Sequence, residues 1–513
     1  MTNPPSPIQI LPSHRAWPLH GVQGSRQIER AALAALPAGA QGALMERAGL
    51  AVARLALALV PQGRRVWVLA GPGNNGGDGL VAARLLHRCG WQVQVVLLAD
   101  AARLPADARA AYERARAAGV EIREGWPEAA DADAEQADLL IDALFGLGAS
   151  RAPQGAHAAA IGRINAARVP VLAIDLPSGI DGDTGRCIGD AVVRATHTLS
   201  LLTLKPGLLF ARDAVGQLWL DVLGVPVDEA AHAPVAMLAG PPPTAARLHA
   251  QHKGSFGDVW VIGGAAGMAG AVTLASRAAL AAGAGRVYLA RLSGDAEAID
   301  PLRPEIMPRS IEVLAASGMP QGATVVCGCG GGVAVTKLLP QLLHAAPRLV
   351  LDADALNAIA ADPGLAQRLR ARRAHGLHSL LTPHPLEAAR LLGIATAEVQ
   401  ADRLQAAMQL AERMQCGVLL KGSGTVIAAP GRVPLINPTG NARLATAGSG
   451  DVLAGWIGGL WAQQPEPDGV DAAAAAAWCH GHAAECETDA TVLRAADLID
   501  AMASAKTLAK TLA

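Results

Sequence analysis

The sequence predicts an α/β protein with two domains, each built on a largely parallel β-sheet covered by helices. First, its 513 residues are too many for a single hydrophobic core. Second, short apolar runs alternate with helical stretches, a pattern typical of parallel sheets with both faces buried. Third, the alternation stops at residues 225–247, which contain a PPP run. We therefore expect a linker there and domains at residues 1–240 and 241–513.

The first half repeats a strand-and-helix pattern after a helical N-terminal stretch. RVWVLA and QVQVVLL are apolar runs of strand length, and the residues that follow each of them have helical spacing. Apolar strands separated by helices favour parallel pairing. The predicted elements are helical residues 25–59, a strand at 65–70, a helix at 79–90, a strand at 92–98, a helix at 105–118 and strands at 137–146, 170–179 and 196–202.

The second half shows the same class of pattern without repeating the sequence of the first. It opens with GDVWVIGG and continues through a long alanine-rich helix. Its predicted strands begin at 257 and lie at 286–291, 323–328, 348–354, 378–384 and 417–423, with helices at 269–285, 450–463 and 472–487.

Charge, apolar runs and cysteine content narrow the class of protein. A net charge of −1 lacks the excess of positive charge that is typical of proteins that bind nucleic acid or an anionic membrane. No apolar run of about 18 residues lacks a charge or a helix breaker, and the N-terminus lacks a signal-peptide pattern. The seven cysteines form no CxxC pair, which favours a reducing cytoplasm over a disulfide or zinc framework. Cys327 and Cys329 could form a redox pair, but small buried residues are the favoured interpretation.

A glycine-rich turn, GPGNNGGDG at residues 71–79, follows the first strand. Such a turn directs backbone N–H groups at an anion, and the helix behind it favours negative charge. Its spacing is neither the Rossmann GxGxxG nor a Walker motif. Instead it carries Asn74, Asn75 and Asp78, whose side chains can bind hydroxyls, an amide or a cation. The alternative is a tight turn in which Asn and Gly supply positive φ angles.

Two further strand ends of the first half carry polar groups. Asp142 follows one strand, and Asp175 and Ser178 follow the next. Ligands of open parallel sheets bind beyond the carboxyl ends of the strands, where these residues would meet the glycine-rich turn. One oxygen each from Asn75, Asp142 and Ser178 would suit a hard monovalent cation. The alternative for each aspartate alone is a helix cap or a turn.

Residues 25–230 resemble the NAD(P)H-hydrate epimerase domain, also called the YjeF N-terminal domain. The matching pieces are LMERAG, GPGNNGGDGLVAAR, DALFG, IDLPSGIDGDTG and LTLKPGL. The resemblance implies a Rossmann-like three-layer sandwich that interconverts the R and S hydrates of NADH and NADPH. It implies potassium at Asn75, Asp142 and Ser178, with Asp175 as the acid–base group. One departure is GLGASRAP, where a GTG-type loop is expected. The implied substrate contacts are Asn74, Asn75, Gly76, Gly77, Asp78, Gly146, Leu147, Gly148 and Asp175.

Glycines and charged residues also cluster at strand ends in the second half. KGSGT at 421–425 ends a strand with a cation and a hydroxyl, and ATAGSGD at 445–451 opens a helix, an arrangement that suits phosphate. Asp451 at that helix start could act as a base toward a hydroxyl. His384 precedes another helix, and DADALN at 352–357 offers two carboxylates suited to a magnesium–phosphate complex. Individually, these residues could be a helix-terminal carboxylate, a surface or core histidine and a strand-end lysine.

AGSGD resembles the anion-hole motif of the ribokinase superfamily, and residues 245–505 resemble its ADP- or ATP-dependent NAD(P)H-hydrate dehydratases. The wider match includes LDADALN, LTPHPLEAARLLG, LLKGSGTVI and NPTGNARLATAGSGDVLAG. The resemblance implies a ribokinase-like α/β domain with Asp451 as the catalytic base. One departure is CGCGGG at 327–332, where a GPGLG-type turn is expected. The implied hydrate contacts are Ala271, Gly332, His384 and Asp451, and the implied nucleotide contacts are Lys421, Gly422, Ser423, Gly424, Thr425 and Gly450.

Both resemblances point to one metabolite, so we expect a bifunctional cofactor-repair enzyme. It would epimerise the two hydrates and dehydrate the S form with ADP, releasing AMP and phosphate. We expect K⁺ in the first domain, Mg²⁺ with ADP in the second, a cytoplasmic location and a homo-oligomer that binds neither nucleic acid nor membrane. One alternative is a ribokinase-like small-molecule kinase with an N-terminal nucleotide-binding module. Another is that the first half is a ligand-binding or scaffold module without activity.

Overall fold

A computed structural model describes residues 6–11, 15–37, 42–126, 136–149, 151–243, 246–293, 298–312, 322–464, 468–487 and 491–508. The chain divides into two compact units, Met1–Ala236 and Met237–Ala513. Each unit is an α/β structure in which most strand pairs are parallel. The described part contains no helix with the length and apolarity that a membrane crossing requires.

The first unit contains nine strands and seven α-helices among its described residues. The strands are β1 (Ile8–Gln9), β2 (Trp17–Leu19), β3 (Arg65–Ala70), β4 (Gln92–Leu97), β5 (Glu121–Glu124), β6 (Leu139–Ala143), β7 (Val171–Ile174), β8 (His197–Leu201) and β9 (Gln217–Asp221). The helices are α1 (Val22–Ala34), α2 (Ala43–Leu59), α3 (Asn74–Arg88), α4 (Ala106–Ala117), α5 (Ala156–Ala166), α6 (Gly207–Phe210) and α7 (Arg212–Val215).

Six parallel strands of this unit run in the order β5-β4-β3-β6-β7-β8. The next strand, β9, pairs parallel with β8, and β1 pairs antiparallel with β9. The order reverses between β3 and β6, as in the Rossmann fold. Side chains alternate along β3, so Val68 joins a core with α2 and α3, while Leu69 joins a second core with α5. Two cores on opposite faces make three layers, and the predicted Rossmann-like sandwich is confirmed.

The helix behind the glycine-rich turn begins at Asn74, so the prediction of a start near residue 79 was wrong. The segment NNGGD therefore forms the first helical turns. Close packing explains how glycines can begin a helix here. A Cβ at Gly76 would collide with Gly71 O, and one at Gly77 would come within 2.6 Å of Met45 Cε. The missing side chains let the helix approach the turn and α2 closely.

Two other predicted features of the first unit also differ from the structure. The helical stretch at 25–59 is divided into α1 and α2, because Pro37 follows the first helix and Gly42 caps the second with φ +77°. The strands β1, β2, β5 and β9 and the helix α5 were not predicted. Most of these strands are short edge elements with little apolar pattern.

The second unit contains ten strands and ten α-helices among its described residues. The strands are β10 (Ala236–Leu238), β11 (Asp258–Gly263), β12 (Arg286–Arg291), β13 (Met307–Pro308), β14 (Thr324–Cys327), β15 (Arg348–Leu351), β16 (His378–Leu381), β17 (Gly417–Leu420), β18 (Val426–Ala428) and β19 (Leu435–Ile436). The helices are α8 (Ala269–Ala281), α9 (Leu339–Ala345), α10 (Ala353–Ala361), α11 (Pro363–Ala371), α12 (Pro385–Leu392), α13 (Thr396–Ala401), α14 (Arg403–Met414), α15 (Ser449–Trp461), α16 (Val470–Cys486) and α17 (Ala495–Leu508).

The second sheet is parallel from β13 through β12, β11, β14, β15 and β16 to β17, after which β18 pairs antiparallel. All six strands predicted in this half form, since each is a buried apolar run. Helices α8 and α15 pack closely against one face. A Cβ at Gly455 or Gly459 would meet the backbone of Ala275 or Ala279, so these glycines permit the contact. This arrangement is the α/β class predicted for a ribokinase-like domain.

Candidate active sites

The carboxyl edge of the first sheet opens into a cleft of about 530 Å³. The strands β3, β6 and β7 end at this edge, and α3 begins there. Most predicted substrate contacts line the cleft, whereas Gly76 and Gly77 are buried in packing contacts instead. The predicted residues that line it are Asn74, Asn75, Asp78, Gly146, Leu147, Gly148 and Asp175.

Asp175 follows β7 with a φ of +67°, which is rare for a residue other than glycine. Its backbone N–H donates to Leu199 O at 2.7 Å, and its Oδ1 accepts from Leu201 N at 3.3 Å. Strained conformations of this kind cost about 1–3 kcal/mol and occur frequently at functional sites. The strained turn places the Asp175 carboxylate in the wall of the cleft.

Lys205 is the partner of Asp175, and sequence reasoning missed its role. Its Nζ is fully buried and lies 2.5 Å from Asp175 Oδ1. It also donates to Leu201 O at 2.9 Å and to Ser200 Oγ at 3.2 Å, so all three ammonium protons have acceptors. The signal was present in LTLKPGL, where a lysine stands in an otherwise apolar segment. A buried lysine usually requires such a partner.

Asp142 and Ser178 form a second buried group beyond β6 and β7. Ser178 donates to Asp142 twice, from Oγ to Oδ1 at 2.7 Å and from N to Oδ2 at 2.8 Å. Burial raises the pKa of Asp142 to about 6, although hydrogen bonds from Ser178 and Leu144 act in the opposite direction. The Ser178 hydroxyl also accepts from Phe145 N at 2.9 Å. These bonds join the ends of the two strands.

Asn75 is the third residue of the predicted potassium set. Its Nδ2 is buried and has no hydrogen-bond partner among the described residues. If Gly146 carried a Cβ atom, that atom would lie 3.0 Å from Asn75 Oδ1 and 3.4 Å from Asp175 Oδ2. Gly146 therefore leaves just enough room between these two polar groups. An unpartnered buried amide beside a cleft indicates a place for a ligand.

Two further carboxyl groups line the same cleft. Burial raises the pKa of Asp78 well above its usual value, and the charges of Asp175 and Glu29 raise it further. Burial also raises the pKa of Glu29, with a contribution from Asp175, whereas Lys205 and Arg26 lower it. Glu29 lies on α1, and sequence reasoning did not select it. The cleft therefore contains three carboxyl groups close enough to influence one another.

The second site lies where α15 meets the carboxyl edge of its sheet. Asp451 is in the first turn of α15, after Gly448 at φ +88°. Donor atoms of Asp451, Asp352 and Cys329 lie within 4.8 Å of one another. Burial raises the pKa of Asp451 to about 6, and the charge of Asp352 raises it further.

Cys327 and Cys329 are both buried, and burial raises the pKa of each thiol, as the non-redox interpretation expects.

Lys421 contacts two parts of this site. Its Nζ lies 2.8 Å from Asp352 Oδ1 and 3.5 Å from the position of a Cβ at Gly450. Asp352 also accepts from the Thr382 hydroxyl at 2.7 Å. Asp354 also accepts a hydrogen bond, from Gly332 N to its Oδ2 at 2.8 Å. Both carboxylates of DADALN, which the sequence analysis considers suited to a magnesium–phosphate complex, therefore also have protein partners.

The KGSGT segment forms a loop after β17, and Arg403 on α14 supports it. The Arg403 guanidinium lies 3.3 Å from Lys421 O and 3.4 Å from Gly424 O. Gly422 has φ +142°, and a Cβ there would approach Arg403 Nη1 to 2.5 Å. Thr425 Oγ1 donates to Gly422 O at 2.9 Å, while Ser423 is exposed. Sequence reasoning missed Arg403, which lies 18 residues before the loop.

The remaining predicted hydrate contacts surround the glycine turn after β14. Gly332 has φ +52°, which suits the glycine at that position in CGCGGG. Ala271 lies next to this turn, since a Cβ atom at Gly330 would be 3.0 Å from Ala271 Cβ. His384 caps α12, where its Nδ1 accepts from Leu386 N at 3.1 Å. Its Nδ1 therefore carries no proton in this arrangement.

His480 on α16 is a further residue that sequence reasoning missed. Its Nε2 lies 3.0 Å from Ser449 O in the first turn of α15. Burial lowers the pKa of His480 to about 4, so the ring is neutral near pH 7. Its contact with Ser449 supports the glycine-rich turn from behind. WCHGHAAE offered two histidines without a motif that distinguishes them.

Comparison with known proteins gives a family match for each half of the chain. Residues 41–207 match the family described as YjeF-related protein N-terminus, and residues 259–504 match the family described as NAD(P)H-hydrate dehydratase. A solved structure similar to part of the chain is the ADP/ATP-dependent NAD(P)H-hydrate dehydratase from Bacillus subtilis co-crystallized with ATP/Mg²⁺. It is 29% identical, covers 52% of this chain and 94% of its own, and has a TM-score of 0.44.

Two curated relatives extend over nearly the whole chain. The bifunctional NAD(P)H-hydrate repair enzyme Nnr of Escherichia coli (strain K12) is 38% identical over 464 residues, 86% of this chain and 84% of that protein. The protein of the same name from Moorella thermoacetica is 39% identical over 500 residues, 89% of this chain and 91% of that protein. Both resemblances drawn from the motifs are confirmed. The chain belongs to the family of bifunctional NAD(P)H-hydrate repair enzymes.

Proposed function

We propose that this chain interconverts the R and S hydrates of NADH and NADPH in its first domain and dehydrates the S hydrate in its second. The observation that carries the proposal is that one chain contains two clusters of acidic and basic side chains, one in each domain. One contains Asp175 with its buried partner Lys205, and the other contains Asp451 beside Lys421. Each site lies at the carboxyl edge of a parallel sheet, where such folds bind ligands.

In the second domain Asp451 is the proposed base. It removes the proton of the hydrate hydroxyl, and the resulting oxygen attacks the β-phosphorus of ADP while the bond to AMP breaks. The ring carbon then releases phosphate with its bonding electrons, and a proton leaves the neighbouring carbon to form the double bond. Phosphate is a far better leaving group than hydroxide, which explains the use of a nucleotide. Lys421 supplies positive charge near Gly450, at the turn proposed to hold the phosphates.

The predicted contacts supply the remaining binding groups in this proposal. In the first domain the hydrate lies in the cleft, against Asp175 and the turn around Asn75. In the second, Ala271, Gly332 and His384 hold the hydrate beside Asp451. The nucleotide contacts proposed are Lys421, Gly422, Ser423, Gly424, Thr425 and Gly450.

We propose K⁺ at Asn75, Asp142 and Ser178 as the cation of the first domain. The donor set fits, because it contains only amide, carboxylate and hydroxyl oxygens. The raised pKa of Asp142 also supports the proposal, since a bound cation would offset the burial of this carboxylate. When bound, K⁺ would hold the two strand ends and the Asn75 side chain together. Mg²⁺ would arrive with ADP and neutralise phosphate charge, with Asp352 and Asp354 as nearby acidic groups.

A reducing cytoplasm is the compartment that we propose for this enzyme. Its support is that all seven cysteines are free, including the exposed Cys89, Cys187 and Cys486.

The test is recovery of the reduced cofactor from a mixture of hydrate epimers. The full chain is incubated with hydrated NADPH, Mg²⁺ and either ADP or ATP, and dihydronicotinamide absorbance is followed. Complete recovery with ADP supports both activities, and recovery of only the S fraction means that the epimerase is inactive. A phosphorylated product that accumulates without cofactor recovery favours the small-molecule kinase. Asp175→Asn and Asp451→Asn should remove the first and second activities separately.

A further inference from the structure

Three of the four carboxyl groups that line the first cleft, those of Asp175, Asp78 and Glu29, are in different electrostatic environments. Of these three, only Asp175 forms an ion pair with a described residue, through Oδ1 and Lys205 Nζ. Asp78 on α3 and Glu29 on α1 line the same cleft, and no described residue places a cationic group at ion-pair distance from either of them. Arg26, Asp107 and Arg151 are the other charged residues that line it.

Lys205 keeps Asp175 suited to the role of a base. The buried ammonium group has Asp175, Ser200 and Leu201 as its acceptors and no contact with solvent. This ion pair fixes the position of Asp175 Oδ1 in the wall of the cleft. Because Oδ1 is occupied by Lys205, the proton acceptor is Oδ2, which faces the space at Gly146.

Asp78, unlike Asp175, has no ion-pair partner among the described residues. Its two neighbours in the sequence are glycines, and both pack closely against other elements. Gly77 packs on Met45 of α2, and Gly79 packs on Ala143 at the end of β6. Burial and the negative charges of Asp175 and Glu29 all raise the pKa of Asp78. The Glu29 carboxyl is less deeply buried than that of Asp78, and the positive charges of Lys205 and Arg26 also favour its ionised form. Of the two unpaired groups, Asp78 therefore holds a proton more strongly.

We propose that Asp78 is a catalytic residue of the first site, the proton donor that acts together with Asp175 as the base. This inference rests on the proposed epimerase function and assigns its second acid–base group. Two neighbouring carboxyl groups in unlike surroundings, one paired with a cation and the other buried without one, are a usual arrangement for paired acid and base catalysis.

The chemistry requires both groups. Hydration of the dihydronicotinamide ring places the hydroxyl on the carbon bonded to the ring nitrogen. Asp78 gives its proton to that hydroxyl, the C–O bond breaks, water leaves, and the nitrogen lone pair forms a C=N bond. A water molecule then adds to the opposite face, forming the new C–O bond, and passes one proton to Asp175 Oδ2. One water leaves and one enters, and the reverse reaction uses the two groups in exchanged roles.

The test uses the full chain, the purified R hydrate of NADPH and no nucleotide, so that dehydration cannot occur. Formation of the S hydrate is followed by chromatography. Asp78→Asn should lower kcat by about 10²- to 10⁴-fold, the usual contribution of a positioned proton donor. Binding of NADPH, which lacks the reacting hydroxyl, should be unchanged in calorimetry. Asp78→Glu should restore part of the turnover, and Asp213→Asn, at an exposed position of α7 that does not line the cleft, should retain full turnover.

The pH profile distinguishes proton donation from a structural role. Wild-type turnover should fall at high pH as Asp78 loses its proton, and this decline should persist in Asp78→Glu and disappear in Asp78→Asn. In water labelled with ¹⁸O, the S product should contain the label above the spontaneous level. Unchanged kcat in Asp78→Asn, an unlabelled product, or loss of the decline in Glu29→Gln instead would overturn the proposal. If the wild-type chain and Asp175→Asn are equally inactive, the epimerase function itself fails.

Discussion

Lys421 Nζ lies 2.8 Å from Asp352 Oδ1, and the Asp352 side chain is only 3% exposed. The pair joins the end of β15 to the end of β17. Burial acts to lower the pKa of Lys421, but the charges of Asp352 and Glu387 outweigh it and raise the pKa. Lys421 therefore remains cationic, and it compensates a buried carboxylate in addition to facing Gly450.

Replacement of Lys421 by Met should destabilise the second domain by about 3–5 kcal/mol, because it leaves the Asp352 charge buried without a cationic partner. The double variant Lys421→Met/Asp352→Asn should recover much of this loss, since the amide still accepts from Thr382. Neither variant should dehydrate the hydrate. Urea denaturation and the dehydratase assay measure the two effects. Equal stability of the single and double variants would contradict the role of the pair.

The dehydratase rate should rise with pH through a value of about 6. Asp451 must be ionised to accept a proton, and its pKa is raised to about 6 by burial and by Asp352. Measurement of kcat/KM between mildly acidic and neutral pH checks this rise. Asp451→Asn should lower the rate by about 10²- to 10⁴-fold at every pH and leave epimerisation intact. A rate that does not depend on pH across this range would contradict the assignment of Asp451 as the base.

Potassium should stabilise the first domain more above pH 6 than below it. Burial raises the pKa of Asp142 to about 6 in the folded state, above the value of about 3.9 in an unfolded chain. Its contribution to stability is therefore full below pH 3.9 and is lost as pH rises through 6. A cation that binds the ionised carboxylate offsets this loss.

The measurement is the melting temperature of the first domain in KCl and LiCl of equal concentration, at pH 5 and pH 7.5. The difference between the salts should be larger at the higher pH. It should vanish in Asp142→Asn, which cannot ionise. The same difference in wild type and Asp142→Asn would show that potassium acts elsewhere.

Gly146→Ala should impair the epimerase without unfolding it. The new Cβ would lie 3.0 Å from Asn75 Oδ1, so the Asn75 amide must move by a few tenths of an ångström, and it would be in ordinary contact with Asp175 Oδ2 at 3.4 Å. Displacement on this scale beside a reacting group lowers turnover by about 10- to 100-fold. Gly73→Ala is the matched control, because its Cβ meets no atom within 4 Å. R-to-S conversion and thermal melting are measured for both. Full activity in Gly146→Ala would show that the Asn75 amide tolerates displacement.

The sequence by itself determined the fold class, the buried strands and the two glycine-rich turns. Apolar runs such as RVWVLA and RVYLAR predict strands because only a buried position stabilises so many apolar side chains in succession. The motifs also selected Asp175 and Asp451 as candidate catalytic residues, because residues with phosphate-binding or acid–base chemistry follow the strands of a parallel sheet at its ligand-binding edge.

The tertiary structure decided which partner each of these residues has. Lys205 reaches Asp175 across 30 residues of sequence, Lys421 reaches Asp352 across 69, and no periodicity in the chain encodes either pairing. The start of α3 at Asn74 was likewise decided by packing, since glycine disfavours helix in isolation. Protonation state depends on burial and on neighbouring charges, and both exist only once distant segments have come together. The different environments of Asp78 and Asp175 are therefore properties of the folded cleft.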